Sequence, residues 1–315
     1  MIIKVNDPLQ QYEELIQLAS LEQRQHFFRY KMMEPLKMMW AHLQVPMKAK
    51  EPNGYDVIYA ADMLGFANLD DRHTLEKGVK RLRNMNIVDR GKTTLHYLLE
   101  VVNGQGLELK ADNIYLGIYL ADEVKLNHLD GYTGFGGIPG YLMVHLFPND
   151  RNTSRFEGLL AHEFHHNVRF SYFDWSHGNV TVGEYLVIEG LADVFVETLY
   201  GKEQLGPWVT GLDDEDLRYS ISVIKDALHV TGFAEVSSYM FGDPYATEKG
   251  YQRVGLSFAA GYAVGYVVVK AFLERTGMTI FDATRCKSDD IIARSMIFRE
   301  KERFLFSFPS ISIII

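Results

Sequence analysis

Residues 162–166 read His162-Glu163-Phe164-His165-His166, and twenty-three positions beyond His166 comes Glu189-Gly190-Leu191-Ala192-Asp193. The first run has the H-E-x-x-H form. On a helix, residues four apart share a face, so the imidazoles of His162 and His166 can reach one metal ion. Glu163 stands beside them, placed to handle the proton of a metal-activated water. Glu189 offers a carboxylate from a second helix as a third ligand. Three protein ligands plus one open position describe a catalytic zinc site rather than a closed structural one.

The surrounding residues support two helices. Ser154 and Glu157 have capping-box spacing and predict a helix start. Phe156, Leu159, Leu160, Phe164 and Val168 then recur at helical spacing. Thr181 and Glu184 repeat the capping pattern ahead of Leu186, Ile188, Leu191, Val194, Phe195 and Leu199, and Gly201 is a plausible stop. Gly190 removes a side chain beside Glu189, which suits close approach of two helices. The competing reading is a chance match among ordinary core histidines, since the chain holds eleven of them. Donors carried on two separately capped, core-facing helices favour the metal.

H-E-x-x-H followed by a downstream E-x-x-x-D helix resembles the gluzincin class of zinc metallopeptidases. The stretch from about 114 to 298 is more specifically similar to the YjaZ-like family of bacterial predicted zinc-dependent proteases. The matching features are Gly136-Gly137-Ile138-Pro139-Gly140, His162 through Arg169, Glu189 through Asp193, and Gly261-Tyr262-Ala263-Val264-Gly265-Tyr266. The resemblance implies a peptidase with Zn2+ on His162, His166 and Glu189. It makes Glu163 the general base and then the proton donor to the leaving amine. Asp193 becomes the acceptor that orients a ligand imidazole, His162 being the candidate.

Other ligand sets fit less well. A metzincin needs glycine at position 169 and histidine at position 172, where this chain has Arg169 and Tyr172. A structural zinc site needs cysteines, and the chain has one, Cys286. His165 points about 60° away from His162 and about 100° from His166 around the helix, so it reads as packing or support. His177, in the loop between the helices, reads as solvated, with substrate contact as the alternative.

With 315 residues, 47% of them apolar, the chain can bury a large core. Asp and Glu outnumber Lys and Arg by 41 to 32, which argues against a general nucleic-acid binder. A single cysteine fits a reducing cytosol and leaves no internal disulfide framework. The N-terminus lacks the charged and apolar regions of a signal peptide. The best apolar run, 259–269, is too short for a membrane span. A cytoplasmic protein is the expectation. The apolar tail 304–315 receives no function.

Two regions are expected: a mainly helical one over 1–110 and a metallopeptidase-like one over 111–315. In the first, 8–44 has helical spacing with methionine-rich core filler, 46–54 is a break, and helices are predicted over 74–86 and 94–102. In the second, 113–121 and 141–147 read as strands around a glycine-rich turn, 132–140. By analogy with gluzincins, the strand just before the zinc helix would be an exposed edge to which a peptide adds. Gly136, Gly137 and Gly140 would let the two backbones approach; an ordinary glycine turn explains them equally well. The segment 211–216 reads as a solvated acidic loop. A small-residue helix is predicted over 253–277, with Tyr262 the candidate donor to the oxyanion and Tyr266 and Arg253 behind it. Buried packing tyrosines are the plain alternative.

These features predict an α+β, mostly helical, gluzincin-like fold with a small mixed sheet ahead of the zinc helix. The expected function is zinc-dependent peptide-bond hydrolysis, with a peptide or protein as the partner. Two alternatives stand: a zinc hydrolase of small amides, and a non-catalytic binding protein on the same fold.

Overall fold

The computed structural model describes residues 2–299 apart from 53, 176 and 177, so His177 and the tail 304–315 lie outside the described residues. Strands β1 (Ile2–Val5), β2 (Asn113–Leu120), β3 (Tyr132–Ile138) and β4 (Tyr141–Leu146) form one mixed sheet in the spatial order β1-β2-β4-β3. β1 and β4 both run parallel to β2, whereas β3 and β4 form an antiparallel hairpin. Parallel pairing needs cover on both faces, and most of β2 and β4 is buried.

Helices α1 (Pro8–Gln17), α2 (Leu21–Phe27), α3 (Lys37–His42), α4 (Val57–Met63), α5 (Arg72–Asn84) and α6 (Ile87–Gly104) connect β1 to β2. After the sheet come α7 (Phe156–Arg169) and α8 (Val182–Tyr200), then the short α9 (Pro207–Thr210). The chain continues through α10 (Asp214–Lys225), α11 (Phe233–Lys249), α12 (Ala260–Thr276), α13 (Ile280–Ala283) and α14 (Ser288–Ser295). One apolar core runs from Tyr12 and Trp40 through Leu116 and Val144 to Phe164 and Phe272. Met32, Met33 and Met39 are buried in it as filler, while Met38 is exposed.

The helix carrying the second donor set starts as the sequence predicts: Thr181 and Glu184 form a reciprocal capping box, and Gly201 ends α8 with a positive φ. The first does not. Ser154 makes no cap, and a 3-10 turn over Thr153–Arg155 leads into α7. Glu157 instead receives two bonds, 2.7 and 2.6 Å, from the Arg90 guanidinium of α6. A bidentate charged pair is a stronger partner for a carboxylate than one backbone N–H.

Three further expectations change. Within 132–140, residues Tyr132–Ile138 are strand β3 rather than a turn, and the tight reversal is confined to Pro139 and Gly140, the latter with φ 90°. Gly134 and Gly136 serve a close approach: a Cβ on Gly134 would run into the Glu163 side chain, and one on Gly136 into the Glu163 carbonyl. The edges of the sheet are β1 and β3, with β4, the strand just before the zinc helix, inside it. The acidic stretch 211–216 contains the Asp213 cap and first turn of α10, where carboxylates meet free N–H groups. Finally, the regular part of the small-residue helix begins at Ala260. The preceding backbone turns through positive φ at Gly255 and Ala259, and Asp243 accepts from the Val254 and Gly255 N–H groups.

The small residues do bring α8 and α12 together. A Cβ on Gly190 would overlap the Gly265 carbonyl, and one on Gly265 would overlap the Leu186 carbonyl. Among the described residues no helix is long and apolar enough to cross a membrane.

Gly190→Ala is expected to cost about 3 kcal/mol of unfolding free energy, because the obstacle is backbone and cannot rotate away. Gly104→Ala is the control: an added methyl meets nothing within 4 Å. It should be neutral or stabilise by up to about 1 kcal/mol. Urea denaturation of both variants checks this; equal midpoints would mean that the two helices part at no cost.

Candidate metal centre

α7 and α8 bring the predicted donors to one point. The His162 Nε2 lies 3.0 Å from Glu189 Oε2, and the His166 Nε2 lies 3.5 Å from the same oxygen. One ligand atom from each of the three residues falls within 4.8 Å of the others. Tetrahedral zinc with nitrogen and oxygen ligands at about 2.0–2.1 Å holds them roughly 3.3 Å apart. The two separations to Glu189 bracket that value, and with the two imidazoles no more than 4.8 Å apart the three donors can close on one ion. His162 Nδ1 is 2.9 Å from Asp193 Oδ1, an arrangement that fixes the ring and leaves Nε2 facing Glu189.

These side chains are buried together, and their protonation follows from it. Burial alone would lower the His162 pKa, but Asp193 and Glu189 outweigh it and hold the imidazolium well above its ordinary range. Burial pushes Glu189 up, and His166 and His162 more than reverse this, bringing it to about 2. At Glu163 burial outweighs the pull of His162 and His166 and raises the carboxyl above its usual value. A buried carboxyl with a raised pKa beside a candidate metal point is the pattern of a general base.

Two residues that the motif search missed join the cluster. The Trp208 indole, on α9, donates to Asp193 Oδ1 at 3.2 Å, and its ring lies 6.0 Å from that of His162. Tyr185, one turn before Glu189 on α8, stands beside Tyr262 of α12. Burial and the nearby Glu189 push both tyrosines well up. Tyr185 was visible in the sequence, since 185, 189 and 193 recur every fourth position; Trp208 carries no spacing signal.

The other candidates lie elsewhere. Tyr266 donates to Glu197 at 2.8 Å, and Arg253 pairs with Asp243 near the surface. His165 faces away from the cluster, with Nε2 3.0 Å from the Thr284 hydroxyl and its ring against Phe195. Cys286 belongs to a different contact: Arg169 donates to the Thr284 and Cys286 carbonyls, each at 2.6 Å. Gly136 and Gly140 are tied to α7 through the buried Asn167. Its amide donates to Gly136 O at 2.7 Å and Tyr141 O at 3.1 Å, and its oxygen accepts from Gly140 N–H at 2.7 Å. Gly137 is set toward Trp175: a Cβ there would sit 3.7 Å from the indole nitrogen.

A family model described as "Predicted Zn-dependent protease (DUF2268)" matches residues 88–293. The chain is 47% identical over 298 residues to the uncharacterized protein YjfC of Bacillus subtilis (strain 168), which covers 95% of this chain and 99% of that protein. It is 28% identical over 127 residues to the uncharacterized protein YjaZ of the same organism, 40% of this chain and 45% of that one. No solved structure matches the chain.

Asp193 and Glu189 favour the imidazolium form of His162, so zinc binding should release protons and affinity should fall as the pH falls. Calorimetric titration in two buffers of different ionisation enthalpy reads this directly; zero release would mean a neutral His162. Trp208→Phe removes the indole bond to Asp193 and should weaken zinc roughly tenfold in chelator competition. Unchanged affinity would show that Asp193 needs no support.

Proposed function

The chain belongs to the DUF2268 family of predicted Zn-dependent proteases, and we propose that it is a zinc-dependent peptidase of the gluzincin type. The observation that carries this reading is the convergence of His162, His166 and Glu189 beside the buried carboxylate of Glu163. When bound there, zinc would polarise the scissile carbonyl and lower the pKa of a water to about 7.

Glu163 takes the proton from the attacking water and passes it to the leaving amine. Its raised pKa brings it closer to the operating range for both transfers. Asp193 holds His162 in the tautomer that presents Nε2 to the ligand point. Tyr262, beside Tyr185, donates to the oxygen that gains charge at the scissile carbonyl. The substrate is a peptide or protein segment that adds along the outer edge of β3 through main-chain hydrogen bonds. Gly137 admits its backbone there, while Gly136 and Gly140, pinned by Asn167, set the strand against α7. A negative net charge and a lone cysteine support a cytoplasmic enzyme that does not act on nucleic acid.

One observation favours a second reading. His162, Glu163, His166 and Glu189 are only 5–7% exposed, so the opening above them is narrow. Hydrolysis of small amides by the same residues would suit it.

Glu163→Gln should retain zinc and lose at least about a hundredfold in turnover. Mass spectrometry of a diverse peptide mixture, incubated with zinc-loaded wild type and with this variant as blank, tests it. Cleavage by wild type alone supports the peptidase. Cleavage of short amides only supports the second reading, and equal cleavage by the variant removes Glu163 from the mechanism.

A further inference from the structure

Rings from four helices and a loop follow one another away from the metal point and back to it. Phe170 stacks on the His166 ring at 5.8 Å and 12°, and Trp175 stacks on Phe170 at 5.1 Å and 18°. Tyr185 meets the Trp175 ring edge-on at 5.1 Å, and Phe241 meets Tyr185 at 6.4 Å. Tyr262 closes the series 5.8 Å from Phe241, beside Tyr185 and within the field of Glu189. The residues come from the end of α7, the loop after it, α8, α11 and α12.

This series is not ordinary core. Phe164, Phe195 and Phe272 are completely buried, as packed interior rings are, whereas Trp175, Phe241 and Tyr262 keep exposed surface. None of the arc's five side chains carries a charge. The nearest ion pair on the loop, Lys110 with Asp174, is highly exposed and self-compensating. An acidic group entering the arc would lose water and meet the carboxylates of Glu189 and Glu163, which act on Tyr185 and Tyr262, while an apolar group would gain the burial. The arc also touches the strand edge, since Trp175 stands within van der Waals reach of Gly137 on β3. A peptide lying along that edge directs alternate side chains to one face, which here is the face of the indole.

We propose that Phe170, Trp175, Tyr185, Phe241 and Tyr262 form the side-chain pocket of this site, and that it selects peptides with a bulky apolar residue beside the bond that is cut. This rests on the peptidase reading above. The pocket begins on a metal ligand and ends at the two hydroxyls, so whatever fills it is held next to the reacting carbonyl. Trp175 and Phe241 set the preference through their exposed faces, and Phe170 and Tyr185, nearly buried, back them.

The test uses three blocked peptides that differ at one position, carrying Phe, Ala or Asp there. Their kcat/KM is measured with the zinc-loaded full chain, and their binding with zinc-loaded Glu163→Gln. The Phe peptide should exceed the Ala peptide by about ten- to two-hundredfold, the range of a hydrophobic pocket, with the Asp peptide last. Trp175→Ala should reduce the Phe-to-Ala ratio at least several-fold in both assays, and Phe241→Leu, a milder change, should move it the same way. Cleavage with no side-chain preference overturns the pocket and leaves the peptidase standing. An equal loss on all three peptides assigns Trp175 a purely structural part and also overturns it. Absent cleavage, with binding that still ranks Phe over Ala through Trp175, keeps the pocket and removes the peptidase. No ranking in either assay removes the pocket.

Discussion

His162, Glu163, His166, Glu189 and Asp193 are five titratable side chains buried against one another where α7 meets α8. Each charge taken out of water costs several kcal/mol unless a neighbour answers it. Here His162 answers two carboxylates at once, with Asp193 on Nδ1 and Glu189 on Nε2. The pairing works only while the two helices keep their register, because a shift of one ångström would leave a buried charge without its partner. Much of the architecture can be understood as holding that register.

Glycine does part of this by removing side chains where backbones must touch. Gly190 and Gly265 let α12 lie directly on α8 behind Glu189, and Gly134 and Gly136 let β3 lie directly on α7 at Glu163. Polar side chains do the rest. Asn167 ties the β3–β4 hairpin to α7 with three bonds, and Arg169 ties α7 to the carbonyls of Thr284 and Cys286. Successive residues of α7 thus face different partners. His162 and His166 meet α8, Glu163 meets β3, Asn167 meets the hairpin, and His165 and Arg169 meet the α13–α14 region. Such a helix is buried on every side; of Phe156–Arg169 only Glu157 escapes, and it is held by Arg90.

This explains what the sequence discloses. Spacing reveals groups that share one face of one helix, so the donors on α7 and α8, the Thr181 cap and the Gly201 stop are readable locally. What fails is whatever depends on a distant partner. Ser154 and Glu157 match a capping box, but Arg90, 67 positions earlier, takes the carboxylate. The glycines of 132–140 suggest a turn, since glycine signals backbone freedom; here most of that stretch is strand, and their use is proximity to Glu163, which only the fold supplies. Trp208 reaches Asp193 from a one-turn helix, with no periodicity to announce it. β1 pairs with a strand about a hundred residues away, so the sheet draws on both the expected helical region, 1–110, and the metallopeptidase-like one, 111–315.

The hairpin gives the site its mechanical logic. β3 is an edge strand of the sheet, and it also packs its glycine face on Glu163. One element therefore touches the proposed base on one face and forms an outer edge of the sheet. A peptide strand added there would be placed relative to Glu163 by a single layer of backbone, without flexible side chains between them. Errors in position would be small, and small errors matter because a displacement of one ångström can cost two orders of magnitude in rate. Asn167 reinforces the same coupling, as it follows His166 directly and grips the hairpin at Gly136, Gly140 and Tyr141. The metal point, the base and the strand edge are thereby referenced to one rigid helix, and the glycines that look permissive in sequence are the residues that make the assembly stiff.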